Sequence, residues 1–270
     1  MEADYRIEIE DELVTLFKGQ TAARRIRVSD FVRRMNHMSE RDLFKDPLPD
    51  SVRFVRRRGD HVLVVLELRP QYRQVRWIKD SSEAPYGPRA DYQTVRLAFP
   101  YVVLFILFSG GNLSNYQQAY YRNAPIRSLK DSLFLTNLRN CTRRGGLACW
   151  LCITHTGESL IVAHLPWDQK IGLFVEYFWT RAFNKSPEAS DLISQWTRLR
   201  DLDPRIGSIE NWEKASAEDH SFPLKVEWPP AASTIEEVMD TMLNIVAPGS
   251  DISCSGDLVD VINQCPYPEE

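Results

Sequence analysis

The chain has 270 residues, of which 43% are hydrophobic and 26% are charged. This composition excludes wholesale disorder and allows a large buried core. The net charge of −4 is uneven, since residues 201–270 carry 3 Lys and Arg against 15 Asp and Glu. An acidic C-terminal quarter argues against nucleic-acid binding there and suits a basic partner or simple solubility.

Residues 1–80 are the basic part of the chain, with 17 Lys and Arg against 14 Asp and Glu. Runs such as Arg56-Arg57-Arg58 have no interleaved aromatic residues for stacking bases, so we interpret them as solvated ends and faces of strands. The longest apolar run, residues 101–108, is too short to cross a bilayer. The first residues lack a signal-peptide pattern, and the five cysteines are not spaced like those of a disulfide framework. We expect a cytoplasmic protein without a membrane partner.

The first hundred residues predict mainly β-strands, because apolar residues either alternate with polar ones or form short runs bounded by turn residues. Gly59-Asp60 separates two such segments and is typical of a hairpin turn. Residues 116–122 fit either a short helix or a strand. The predicted strands cover residues 5–9, 13–17, 52–56, 61–68, 72–78, 94–99 and 101–108.

The hydrophobic period changes to that of helices after Cys152. Asp168 is placed to cap a helix whose apolar stripe runs to Phe183, and a second helix is predicted to begin at Ser190 or Asp191. Residues 233–236 read as a capping box for a helix that carries Ile235, Val238, Met239, Met242 and Ile245. A last short helix is predicted around residues 258–262.

Strands followed by helices predict an α+β fold, in which an antiparallel sheet is covered on one face by helices. We expect one α+β domain over residues 1–205. An acidic helical extension, residues 206–270, is expected to pack on the same body.

Three of the five cysteines, Cys141, Cys149 and Cys152, lie within twelve residues, and this segment is the predicted functional site. Cys149 follows a strand-like run, an Asn-containing turn and a Gly-Gly break. A cysteine that carries an acyl group needs a partly exposed position at a strand or loop end and donors for an oxyanion. Asn140 or Asn137 is the candidate donor.

Other residues near Cys149 have candidate accessory roles. Arg143 or Arg144 would lower the pKa of the thiol, and His155 would serve as a general base. The chain has no Gly-x-Ser-x-Gly elbow for Ser-His-Asp catalysis, and Ser109-Gly110-Gly111 lacks the lysine of a phosphate-binding loop.

Two motifs carry a resemblance to a known family. Gly146-Leu147-Ala148-Cys149 matches the Gly-x-x-Cys of the ubiquitin-conjugating (UBC-like) superfamily, and Asn140 precedes Cys149 by nine residues, close to the family's spacing. On these residues the chain resembles that superfamily over about residues 50–185. The His-Pro that precedes the family's Asn is replaced here by Leu138-Arg139.

The closer resemblance is to divergent bacterial members, including the B proteins of plasmid-associated PRTRC systems. It rests on the apolar strand Pro100–Phe108, the segment Pro125–Asn140 and the aromatic helix Phe174–Asn184. The resemblance implies a four-stranded antiparallel meander, followed by an extended segment and the cysteine.

For function, the resemblance implies that Cys149 receives a ubiquitin-like modifier from an activating enzyme as a thioester and passes it to an amine. Asn140 would be the oxyanion donor, and no cofactor is expected. A non-catalytic member of the same fold is the main alternative, namely a scaffold or binding subunit that holds protein partners in a larger assembly.

The cysteine segment leaves three further interpretations open. Cys141, Cys149, Cys152 and His155 could ligate zinc, although the second distant pair of a zinc ribbon is missing. Cys149-Trp150-Leu151-Cys152 is a Cys-x-x-Cys and would allow a thiol-based redox or sensor role. The cysteines could also be small buried hydrophobic residues.

Overall fold

The computed structural model describes residues 5–31, 48–84, 89–138, 141–144, 147–151, 162–181, 183–184 and 200–246. It divides the chain into two compact units, residues 1–47 with 57–59 and 249–270, and residues 48–56 with 60–248. The sequence-based boundary at residue 205 stays a prediction. No helix in the described part of the chain is both long enough and apolar enough to span a membrane.

The first unit contains a three-stranded antiparallel meander. Apolar residues on one face of these strands, namely Val14, Leu16 and Ile26, are buried, as period-two alternation requires. The predicted strands at 5–9 and 13–17 are therefore confirmed. The strands are β1 (Tyr5–Glu10), β2 (Leu13–Lys18) and β3 (Thr21–Arg27).

The largest sheet has eight strands, whose main path runs β11-β12-β9-β8-β5-β4, while β10 pairs with both β9 and β13. A separate two-stranded sheet is formed by β6 and β7. All registered pairs are antiparallel, so the predicted α+β class with antiparallel sheets is confirmed. The strands are β4 (Val52–Arg58), β5 (His61–Leu68), β6 (Gln71–Ile78), β7 (Tyr92–Phe99), β8 (Tyr101–Ser109), β9 (Asn112–Arg122), β10 (Ser132–Phe134), β11 (Cys141–Arg144), β12 (Leu147–Leu151) and β13 (Pro230–Thr234).

Strands β5 and β8 form the centre of the core, because consecutive residues along both strands are buried. Such burial requires cover on both faces of the sheet, so the prediction of cover on one face is wrong. The α3 helix (Ile235–Val246) packs on the face that includes Val65 and Phe105. On the other face, Phe108 contacts Trp167 edge-on, with ring centroids 5.1 Å apart.

Trp167 begins the α1 helix (Trp167–Arg181), and the predicted helix with its buried Phe174 and Phe178 stripe is confirmed. Asp168 lies in the first turn of α1 instead of at the cap. The α3 helix is confirmed too, but its capping box is shifted by one residue, from Ser233–Glu236 to Thr234–Glu237. The predicted helices at 190–199 and 258–262 lie outside the described residues.

The region after residue 205 is not made of helices alone. It contains the α2 helix (Ile209–Glu218), the 3-10 helix Phe222–Leu224, α3 and also β13, which joins the main sheet through β10. Ala98 of β7 donates its N–H to Ser216 Oγ at 2.8 Å and accepts from Trp212 Nε1 at 3.0 Å. The α2 helix thereby satisfies the outward backbone groups of β7, which would otherwise form an open sheet edge.

Candidate active site

Cys149 is the third residue of the five-residue strand β12, and this strand lies between β11 and β9. The backbone next to Cys149 is fixed on both sides. Its neighbour Trp150 pairs with Thr142 of β11 and with Gln118 of β9. The sequence predicted a position at the end of a strand or loop, whereas the structure has Cys149 within a strand that is not at the sheet edge.

A buried polar pair links β9 to the segment that leads toward β11. The Tyr121 hydroxyl donates a hydrogen bond to Asn137 Oδ1 at 3.1 Å. Asn137 is only 1% exposed, and its Nδ2 atom has no hydrogen-bond partner among the described residues. A buried donor without an acceptor costs about 1–3 kcal/mol. A contribution to stability therefore does not explain why the Asn137 Nδ2 atom is buried here.

The position of Asn137 follows from the strand before it. Phe134 of β10 pairs with Tyr121, and Leu135 donates its N–H to Pro229 O at 2.8 Å. The next three residues, Thr136, Asn137 and Leu138, are buried. Tyr121 is itself packed against Trp228, with ring centroids 4.7 Å apart, so its hydroxyl is held toward Asn137.

A second amide nitrogen without a described partner lies on the opposite face of β9. Gln118 accepts a hydrogen bond from the Tyr120 hydroxyl, while its Nε2 atom has no partner in the described part of the chain. Since successive side chains alternate along a strand, Gln118 and Tyr120 face the α3 side and Tyr121 faces away from it. The two buried amides therefore belong to different faces of the sheet.

Cys141 is the one cysteine whose side chain is described, and it is 2% exposed. It pairs with Leu151 across β11 and β12, and its N–H bonds to Leu138 O at 3.1 Å. Among the described residues, no three His, Cys, Asp or Glu are grouped to hold a metal ion. Zinc binding by the full predicted set stays a prediction, because the other three ligands are not described.

The structure describes the other predicted site residues only in part. Arg143 lies in β11, but its side chain, like that of Cys149, is not described. Asn140, Cys152 and His155 lie outside the described residues. The structure thus brings the strand of Cys149 next to β9, while the alternative donor Asn137 is bonded to Tyr121 of the same β9.

Two buried charged residues lie on other elements, namely Glu67 on β5 and Lys170 on α1. Glu67 is 2% exposed, and its carboxylate accepts from Arg53 Nε at 3.0 Å and from the Ile126 N–H. Lys170 is buried, donates to Gly111 O at 2.9 Å, and lies over the Trp167 ring. Burial lowers the pKa of Lys170 below its ordinary value.

Sequence reasoning missed Tyr121 as a functional candidate. The one indication in the sequence is weak: Thr136-Asn137 are two polar residues inside the apolar run 133–138. The order of residues along the chain does not show that they lie near residue 121. Comparisons with protein-family models, curated proteins and solved structures give no match.

Proposed function

We propose that this chain is a divergent ubiquitin-conjugating-like protein that carries a modifier on Cys149 as a thioester. The neighbouring strands β4, β5, β8 and β9 support the proposal, because the resemblance implied four adjacent antiparallel strands; here the β6–β7 hairpin is inserted between β5 and β8. The extended segment after β10, the strand of Cys149 and then α1 also follow in the implied sequence.

The observation that carries the proposal is the Nδ2 atom of Asn137, which has no partner within the described ranges and lies beside the strand that adjoins β12. An amide donor that is buried and pre-oriented stabilises negative charge more strongly than one in water. The Tyr121 hydroxyl holds the other end of the amide, so Nδ2 is left for an acceptor. We propose Asn137 as the oxyanion donor, in place of Asn140 or together with it.

In the proposed reaction, the Cys149 thiolate attacks the carbonyl carbon of an incoming thioester. The new C–S bond forms, the carbonyl oxygen becomes an oxyanion that Asn137 Nδ2 stabilises, and the leaving thiolate departs with its electron pair. An amine then attacks the carrier thioester, releases the Cys149 thiolate and loses one proton to solvent.

The experiment uses the ubiquitin 2-mercaptoethanesulfonate thioester as a surrogate donor with the full chain. Intact-mass analysis should show a one-modifier adduct that dithiothreitol removes. Cys149→Ala should abolish the adduct, and Cys149→Ser should convert it to an ester that resists dithiothreitol. Cys141→Ala is the matched control, because Cys141 is a buried cysteine of the neighbouring strand and should keep full adduct formation.

A non-catalytic scaffold of the same fold is the second candidate, and the place of Cys149 within an interior strand favours it. A scaffold would form no adduct with the surrogate thioester. The Cys149→Ala variant of a scaffold would still co-purify with its protein partner. The same variant of a carrier would no longer form the one-modifier adduct.

A further inference from the structure

A second polar cluster lies at the end of the β8–β9 hairpin, away from Cys149. His61 Nδ1 is 2.8 Å from Ser109 Oγ, and His61 Nε2 is 3.3 Å from Asp60 Oδ1. The imidazole thus shares a hydrogen bond with the Ser109 hydroxyl and has the Asp60 carboxylate within ion-pair distance. Asn112, the β9 partner of Ser109, is six residues from Gln118, or about 20 Å at the rise of a strand, so the cluster is separate from the proposed thioester site.

The backbone holds these three residues in place. His61 and Ser109 are direct partners in the β5–β8 ladder, and the Gly110 N–H donates to Asp60 O at 3.1 Å. The serine and the imidazole are thus positioned by two paired strands of the buried core instead of by a free loop. Such pre-organisation is what separates a nucleophile–base pair from a chance surface contact.

The turn also leaves the cluster open to solvent. Gly110 and Gly111 both have positive φ, at 56° and 77°, which forms the tight connection without side chains. Of the atoms that the structure describes, only Asp60 Oδ2 would lie within 4 Å of a Cβ on Gly110, at 3.9 Å. Asp60 is 70% exposed and the His61 side chain is 19% exposed, so a small electrophile has a route to the array.

We propose that Ser109, His61 and Asp60 form a nucleophilic serine site that accepts acyl groups from small activated esters. Ser109 Oγ attacks the carbonyl carbon and gives its proton to His61 Nδ1, while the nearby Asp60 carboxylate stabilises the positive charge that forms on the imidazole. The C–O bond to the alcohol breaks, and the leaving alkoxide takes the proton from His61 Nδ1. Water then hydrolyses the acyl-serine by the same path in reverse.

The test uses a biotinylated fluorophosphonate, in which serine oxygen replaces fluoride on phosphorus and the proton leaves with the fluoride. Tryptic mass spectrometry of the folded chain should locate the label on Ser109. Ser109→Ala should abolish labelling. His61→Ala should slow labelling at least tenfold, since a positioned base contributes about 10²–10⁴-fold. Asp60→Asn should slow it less, because an exposed carboxylate is screened by water.

Ser114→Ala is the matched control and should label at the wild-type rate, because Ser114 is on the same hairpin and its hydroxyl accepts from the Tyr116 N–H. His61→Gln replaces His61→Ala if a thermal melt shows that the alanine variant is unfolded. No label on Ser109 of the folded wild type, or equal rates in wild type and the folded His61 variant, would overturn the proposal. Cys149→Ala should keep the label, so this result is independent of the thioester proposal.

Discussion

The Tyr121 hydroxyl donates to Asn137 Oδ1 over 3.1 Å, between two buried residues that are sixteen positions apart. This bond holds Oδ1 of the Asn137 amide and leaves Nδ2 as the donor that has no partner in the described part of the chain. It also means that Asn137 is held by an element of the sheet and not by its own loop. We therefore predict that substitutions of Tyr121 and Asn137 can separate the stability of the fold from adduct formation at Cys149.

Changes at these two residues should be strongly non-additive. Tyr121→Phe should destabilise the fold by about 1–3 kcal/mol, because Asn137 Oδ1 loses its donor. Asn137→Leu should cost less, because it removes the bond to the Tyr121 hydroxyl but also removes a buried Nδ2 that has no partner among the described residues. The double variant should recover most of that loss, since two apolar groups of similar shape replace both partners. Urea unfolding of the four proteins measures the cycle.

Adduct formation with the surrogate thioester should not recover in the double variant, because the oxyanion donor is still missing. Tyr116→Phe is the matched control for the tyrosine, since Tyr116 is 41% exposed on the same strand. A double variant that regains both stability and adduct formation would contradict the role of Asn137.

The start of α3 provides a test of the capping register. Glu237 N–H donates to Thr234 Oγ1 at 3.3 Å, and Thr234 N–H donates to Glu237 Oε2 at 2.8 Å. Thr234→Ala should therefore cost about 1 kcal/mol of unfolding free energy. Ser233→Ala, one residue earlier, should change the unfolding free energy by no more than about 0.5 kcal/mol. Thermal or urea unfolding measures both variants. If Ser233→Ala lowers the unfolding free energy more than Thr234→Ala does, the capping box is the one predicted from the sequence, Ser233–Glu236.

Glu67 is a buried carboxylate whose main counterion is Arg53, at 2.7 Å. Arg53→Met leaves that charge with the Ile126 N–H as its remaining described partner. Breaking a buried pair costs about 3–5 kcal/mol, but the Arg53 side chain is a third exposed, so we expect about 2–3 kcal/mol. Arg57→Met is the control, because Arg57 is exposed and bonds only to Gly59 O among the described contacts. Equal unfolding free energies for the two variants would contradict the role of this pair.

Lys170 predicts a dependence of stability on alkaline pH. Burial lowers the pKa of Lys170 in the folded chain below its ordinary 10.5, so between these two values the unfolded chain binds more protons. The free energy of unfolding should therefore rise with pH through that window, and Lys170→Met should lose this rise. Urea unfolding from pH 7 to pH 10 measures it, with the exposed Lys214→Met as control. Parallel pH profiles for wild type and Lys170→Met would refute the effect of burial.

Sequence patterns predicted the local elements well and the contacts between them poorly. The apolar run 101–108 and the aromatic stripe of α1 predict β8 and a helix from their own periodicity, because burial of one face is a local property. The pairing of Tyr121 with Asn137, or of His61 with Ser109, depends on which strands become neighbours. No local pattern in those residues encodes it. The covering of both sheet faces was missed for the same reason, since it depends on where distant helices pack.

The proposed thioester function depends on a reactive thiol at Cys149. The most direct measurement is the rate of alkylation of each cysteine by iodoacetamide in the native chain, located by mass spectrometry and compared with the rate in urea. Cys149 should react in the native chain within about tenfold of its rate in urea, because a carrier thiol must be open to solvent. Cys141, which is 2% exposed, should be slowed at least about a hundredfold. A Cys149 that is protected as strongly as Cys141 would contradict the thioester function.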